Sequence, residues 1–293
     1  MPVKVKLKID HKNETLSLPA IALRGLVVFP NNVIHFEVGR PQSIAAVEWA
    51  MENNTSLFLV AQKDMDLDDP TRKDLYNYGV VAEIKQALRV SDDLVKVLVE
   101  GKFRASLIEL DNANNFMQVL VKPAPVRGAK SADSVQAEAL LRTIREAFEE
   151  YMELSSRIPK DVVYTILSSE DPVFLGDYIP SNLLFKYTDK QKILNEGTVL
   201  GRLETILSVF SKENKVLSIE KEIHDKVSVQ MDKNQRDYFL REQMRAISNE
   251  LDEDEDVRQE ADSYKQRIEK LVLPDEAREK LNKEADRLYR MQG

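Results

Sequence analysis

Val229-Gln-Met-Asp-Lys-Asn-Gln-Arg-Asp-Tyr-Phe-Leu-Arg-Glu-Gln-Met-Arg-Ala-Ile-Ser-Asn-Glu-Leu251 contains no Pro and no Gly, and most of its residues favour or tolerate a helix. The same character holds upstream, so the spacing predicts one helix from about Thr198 to Leu251. At 1.5 Å per residue this is roughly 80 Å, longer than a globular domain needs, and a helix of that length connects other parts. Its apolar positions drift from Val199, Leu203, Ile206 and Phe210 to Ile219, Ile223, Val227 and Met231 without holding a strict heptad, and Glu213 and Glu220 interrupt them. Farther along, Met231, Tyr238, Phe239, Leu240, Met244 and Ile247 concentrate large apolar groups on a helix otherwise crowded with charge. Two readings fit them. Either they pack on neighbouring helices of this chain or a partner subunit, or they form an adaptable surface for exposed apolar segments of other proteins.

Before this helix the period changes. Between residues 133 and 197 it is helical: Leu140, Leu141, Ile144, Ala147, Phe148 and Tyr151 form one stripe, which Ile158-Pro159 ends. Asp171-Pro172 supplies an N-cap and a first-turn Pro, and Asp161 and Asp189 can open two more short helices of a compact bundle. Residues 123–132 have the Pro, Gly and Ser content of a linker.

Residues 1–122 read as β structure with one inserted helix. Val80, Ala82, Ile84, Leu88 and Val90 alternate with polar residues, the period of a half-buried strand. A second long strand runs from Leu94 to Leu110 with a bulge or corner at Gly101, and a third carries Met117, Val119 and Val121 on one face; short polar turns make the three a meander. Leu57–Val60 and Leu26–Phe29 are short apolar runs suited to strands covered on both sides. Between them Pro41 opens a helix with Ile44, Val47 and Met51 on one face, which Asn53-Asn54 ends. After Leu251, the like-charged run Asp252–Asp256 predicts an exposed turn or break, followed by helices over 260–271 and 277–291. The final charged helix carries no cap and reads as a cut within a longer protein. The fold class is α+β: a mostly β pseudo-barrel with one packed helix, then a helical bundle ending in a very long helix.

Composition narrows the function. The chain has 293 residues, 43% hydrophobic and 31% charged, without any apolar window long enough to span a membrane. Cysteine is absent, so there are no disulfides or thiolate metal sites. A net charge of -8 argues against nucleic acid as the main partner. His11, His35 and His224 fall in separate segments without metal-ligand spacing and read as surface or structural. No GxxxxGK[ST] phosphate loop and no GxSxG elbow is present. Asp64, Asp66, Asp68 and Asp69 lack the Gly and closing Glu of a calcium loop and read as a solvated loop.

These residues resemble one family. Val229–Leu251 is similar, over more than twenty nearly ungapped positions, to the helix that precedes the ATPase module of Lon proteases. Leu18-Pro-Ala-Ile-Ala-Leu-Arg-Gly-Leu-Val-Val-Phe-Pro30, with Val38-Gly-Arg40 and Ser43-Ile44, looks like the start of the Lon substrate-binding domain, and Leu59–Lys63 and Val95–Ala105 agree with it. Ala20-Ile21-Ala22 departs from the tighter Leu-Pro-Leu-Arg arrangement more usual in the family.

The resemblance implies a PUA-like pseudo-barrel and the N-terminal region of a homohexameric, ATP-dependent serine protease, cytoplasmic in location. The ATPase module, with ATP and Mg, and the Ser-Lys protease module would follow this region. The fragment is therefore expected to hold no catalytic residue, cofactor or metal and not to be an enzyme by itself. Its implied partners are unfolded, damaged or degron-bearing proteins, its own ATPase and protease modules, and further copies in the hexamer, with no membrane and no nucleic acid. Met231, Tyr238, Phe239, Met244 and Ile247 are the candidate substrate-binding residues. The alternative role is an oligomerisation or scaffold arm without substrate contact.

Overall fold

β2 (Thr15–Leu23) is paired twice over in the computed structural model, which describes residues 9–10, 15–91, 93–111, 115–128, 135–155 and 158–290. His11 and residues 129–132 of the expected linker lie outside the described residues. Leu16–Pro19 run antiparallel to β7 (Gln118–Pro123), and Ala20–Leu23 run parallel to β4 (Leu57–Ala61). β5 (Tyr78–Ser91) and β6 (Leu94–Asp111) join β4 to β7 through antiparallel pairs. The order β2-β4-β5-β6-β7 therefore closes on β2, a five-stranded barrel that removes most free edges. β3 (Val33–Val38) lies outside the ring on the first half of β6, and β1 (Ile9–Asp10) adds two residues to β2.

The period-2 alternation sorts side chains into two cores. Leu16, Leu18, Ala20 and Ala22 cluster with Phe58, Val60, Val81, Leu107, Val119 and Val121. The intervening Ile21 and Leu23 turn the other way, with Leu57, Leu59, Val80 and Ala82, against α1 (Pro41–Glu52) and the later helices. β4 is apolar throughout because both of its faces are covered.

The bulge expected near Gly101 is present. Gly101 pairs with Ala82 and Phe103 with Val81, which leaves Lys102 as the extra residue. A close approach demands glycine here, since the Asn31 N–H donates to the Gly101 carbonyl at 2.8 Å and a Cβ would strike the Phe29 carbonyl. Leu26–Phe29, expected as a strand, is irregular. Gly25, at φ +65°, turns the chain before it and Pro30 ends it, so Val27, Val28 and Phe29 fill the core without joining a ladder.

The same core continues into α2 (Val135–Leu154), α3 (Lys160–Ser168), α4 (Pro172–Asn182), α5 (Tyr187–Asn195) and the first turns of α6 (Val199–Lys270). Its centre is aromatic: the Phe210 ring lies 6.1 Å from Phe148, 5.7 Å from Tyr151 and 5.2 Å from Phe185. α4 starts as its sequence suggested, Asp171 Oδ1 accepting from the Val173 and Phe174 N–H groups. Asp161 and Asp189 lie inside the first turns of α3 and α5 and do not cap them. Asp189 is buried in α5 and accepts from Lys192 Nζ and Lys212 Nζ, each at 2.7 Å. Burial pushes its carboxyl up, but the two ammonium groups outweigh burial and hold it below the usual carboxylate range.

α6 runs without interruption from Val199 to Lys270, so the break expected at Asp252–Asp256 does not occur. Like-charge neighbours on a helix cost only a few tenths of a kcal/mol per pair. Nothing in 252–270 is Gly or Pro, and the first residue that cannot continue the helix is Pro274. Contacts divide the chain into two units within α6, Met1–Ile219 and Glu220–Gly293. The second unit holds the rest of α6 and α7 (Asp275–Arg290), where Ala261, Ile268 and Ala285 are buried and Lys265 pairs with Asp286 at 2.7 Å.

Candidate functional site

All five residues proposed from sequence lie on α6 in the second unit, and all are between 56% and 72% exposed. The helix does not gather them on one side. At about 100° per residue, Met231 and Tyr238 lie roughly 20° apart, whereas Met244 and Ile247 fall on the opposite side with Leu240, and Phe239 lies between. Two exposed apolar lines result, on a stretch, residues 231–247, whose other residues apart from Ala246 are charged or amide-bearing.

A second site forms in the barrel unit, where two strand edges face a common groove. β3 pairs with β6 on one side and has no strand on the other among the described residues. Beyond the Ala20 N–H, which donates to the Met117 carbonyl at 2.9 Å, β2 likewise has a strand only on its β4 side among the described residues. Between them lies a cavity of about 340 Å³ lined by Ile21, Leu23, Leu26, Phe36 and Val38, with Arg24, Glu37, Arg40 and Ser43 at its polar margin.

Arg40 organises this groove. Its Nη1 donates to Gln62 Oε1 at 2.8 Å and to the Asp68 carbonyl at 3.1 Å, and its Nη2 donates to the Ala22 carbonyl. These acceptors are all neutral. Burial lowers the Arg40 pKa and the like charge of Arg24 lowers it further, against the opposing charges of Asp68 and Asp69. Arg24 itself pairs with Asp68 at 2.6 Å. In the sequence, Arg24 and Arg40 stand out only within the stretches that resemble the Lon family. The missed signal was the alternation of Ile34, Phe36 and Val38 with His35 and Glu37, which marks β3 as a strand.

Other charged groups serve the fold. Arg202 is buried where α4 meets α6, its Nη1 donating to Asp177 Oδ1 at 2.8 Å, and buried Arg104 of β6 lies over the Tyr78 ring at 5.8 Å. His35 is exposed on β3 and His224 on α6. In the acidic loop, Asp64 Oδ1 accepts from the Asp66 N–H at 3.0 Å and Asp68 holds Arg24. Among the described residues no group of three His, Asp or Glu side chains could hold a metal ion, and no helix is long and apolar enough to cross a membrane.

Comparison with known proteins gives a consistent result. The family model described as the ATP-dependent protease La (LON) substrate-binding domain matches residues 17–212. The chain is 36% identical over 287 residues to the Lon protease of Clostridioides difficile, covering 97% of this chain and 36% of that protein. It is 38% identical over 282 residues to the Lon protease of Escherichia coli K12, covering 96% of this chain and 36% of that protein. It thus spans about a third of the length of these curated relatives. Among solved structures, the N-terminal domain of Mycobacterium avium complex Lon protease aligns with a TM-score of 0.51 at 18% identity, covering 67% of this chain and 98% of that one, which supports the fold.

Proposed function

Since the chain belongs to the family of Lon substrate-binding domains, we propose that it binds unfolded, damaged or degron-bearing proteins for an ATP-dependent protease. The ATPase and Ser-Lys protease modules, with ATP and Mg, belong to the longer protein, which acts as a cytoplasmic homohexamer. The single observation that carries this reading is the extent of the family match. Residues 17–212 comprise the barrel, the short helices and the start of α6, and they end before Met231. Client binding is accordingly assigned to the first unit. It works by apolar burial and backbone pairing, without covalent chemistry, and the chain alone hydrolyses neither ATP nor peptide.

A second reading is favoured by the exposure of Met231, Tyr238, Phe239, Met244 and Ile247. In it, the apolar lines of α6 contact clients or neighbouring copies of the chain, and the region acts as a spacer or scaffold arm. The test is fluorescence anisotropy with a labelled polypeptide kept unfolded by reduction and carboxymethylation, its native form serving as control. Saturable binding of the unfolded form alone supports client capture. Equal binding of both forms, or ATP or peptide hydrolysis by the chain itself, sinks it.

A further inference from the structure

We infer that the groove between β2 and the open edge of β3 takes an extended segment of an unfolded polypeptide, added as a strand to β3 with an acidic side chain against Arg24 and Arg40. The inference rests on the client-binding reading above and names where and how a client is held.

The backbone argues for a strand. Gly101 exchanges hydrogen bonds with Asn31 and Asn32, which sets the phase of the β3–β6 ladder. Counting by two from there, Ile34, Phe36 and Val38 direct their N–H and C=O groups to β6, and His35 and Glu37 direct theirs to the open side. Edge strands are commonly protected by Pro, by Lys or by a covering segment. Val33-Ile-His-Phe-Glu-Val38 contains neither Pro nor Lys, and among the described residues no strand covers it. Across the groove the Ala22 carbonyl is already engaged by the Arg40 side chain, which stands where a neighbouring strand would. The occupant that offers alternating donors and acceptors to such an edge is another polypeptide in extended form.

The side chains argue for its character. Ile21, Leu23, Leu26 and Phe36 give the groove apolar walls that take alternate side chains of the added strand. The charge in it is unevenly matched. Glu37 faces Lys96 at 3.9 Å and Arg24 faces Asp68, whereas Arg40 has only neutral hydrogen-bond acceptors and no carboxylate within 4 Å among the described residues. A carboxylate on the incoming segment supplies the missing charge.

The probe is a labelled ten-residue peptide of alternating Val and Thr with a central Asp, titrated into the full chain. N-methylation at alternate residues is expected to weaken binding about tenfold, because it deletes the strand's donors. Replacing the Asp by Asn is expected to weaken it about fivefold. Arg24→Gln and Arg40→Gln combined should lose the preference for Asp over Asn while leaving circular dichroism unchanged. Equal binding of the N-methylated and parent peptides overturns the inference, and so does an Asp preference that survives the double substitution. Affinity that depends on the peptide's free C-terminus and not on Asp also overturns it. If the long unfolded client binds while the peptide series is flat, only the groove assignment falls. If no client binds, the functional reading falls with it.

Discussion

Replacing Asp189 with Asn removes a carboxylate that ties α5 to α6 while keeping its shape. The side chain is only 2% exposed, and both of its oxygens accept from ammonium groups at 2.7 Å, Lys192 on α5 and Lys212 on α6. Breaking a fully buried ion pair costs about 3–5 kcal/mol, mostly because a partner is stranded without water. Here Lys192 and Lys212 are 65% and 50% exposed, so both can recover hydration and screening applies, which lowers the expected cost to about 2 kcal/mol. The pH dependence follows from the sign of the shift. The folded-state pKa lies below the unfolded value of 3.8, so the stabilisation is present above that value and is lost as the pH falls through the folded pKa. Urea unfolding followed by circular dichroism at pH 7 and near pH 3 reads both parts. The difference between the Asp and Asn proteins should shrink toward zero in acid. A difference that stays the same at both pH values, or one below about 0.5 kcal/mol at pH 7, would refute the assigned role.

Three further outcomes are expected. Phe210→Ala empties the centre of the aromatic cluster formed with Phe148, Tyr151 and Phe185, and should cost about 3–5 kcal/mol in the same unfolding assay. Gly101→Ala drives a methyl group against the Phe29 carbonyl, and a cost of about 1–3 kcal/mol, seen as a lowered melting temperature, should follow. By contrast, Met231→Ser, Phe239→Ser and Met244→Ser combined remove only exposed side chains, so the stability of the first unit should change by less than about 0.5 kcal/mol.

Local patterns carried much of this fold. The β5–β6–β7 meander and α1 followed from period and from Pro and Asn signals, because strands that alternate and pair with sequence neighbours leave their register in the sequence. The β2 switch from an antiparallel to a parallel neighbour left no such trace, since it depends on β7, about a hundred residues away. Leu26–Phe29 misled because an apolar run reports burial and not ladder membership. The acidic run after Leu251 misleads because its like-charge repulsion is smaller than the gain from continuing an uninterrupted helix. The groove was illegible for another reason. Arg24 and Arg40 meet only through the barrel's closure, and an open strand edge is defined by what fails to pair with it.

If residues 17–212 hold the client-binding surface, as proposed above, the Met231→Ser, Phe239→Ser, Met244→Ser chain should still bind the unfolded, labelled polypeptide, read by fluorescence anisotropy. Affinity within about threefold of the unmodified chain is the expected result, since a change below 1 kcal/mol is what peripheral contacts contribute. Loss of binding by this variant, with its helicity and unfolding midpoint unchanged, would exclude the barrel unit as the sole client site and move it to α6.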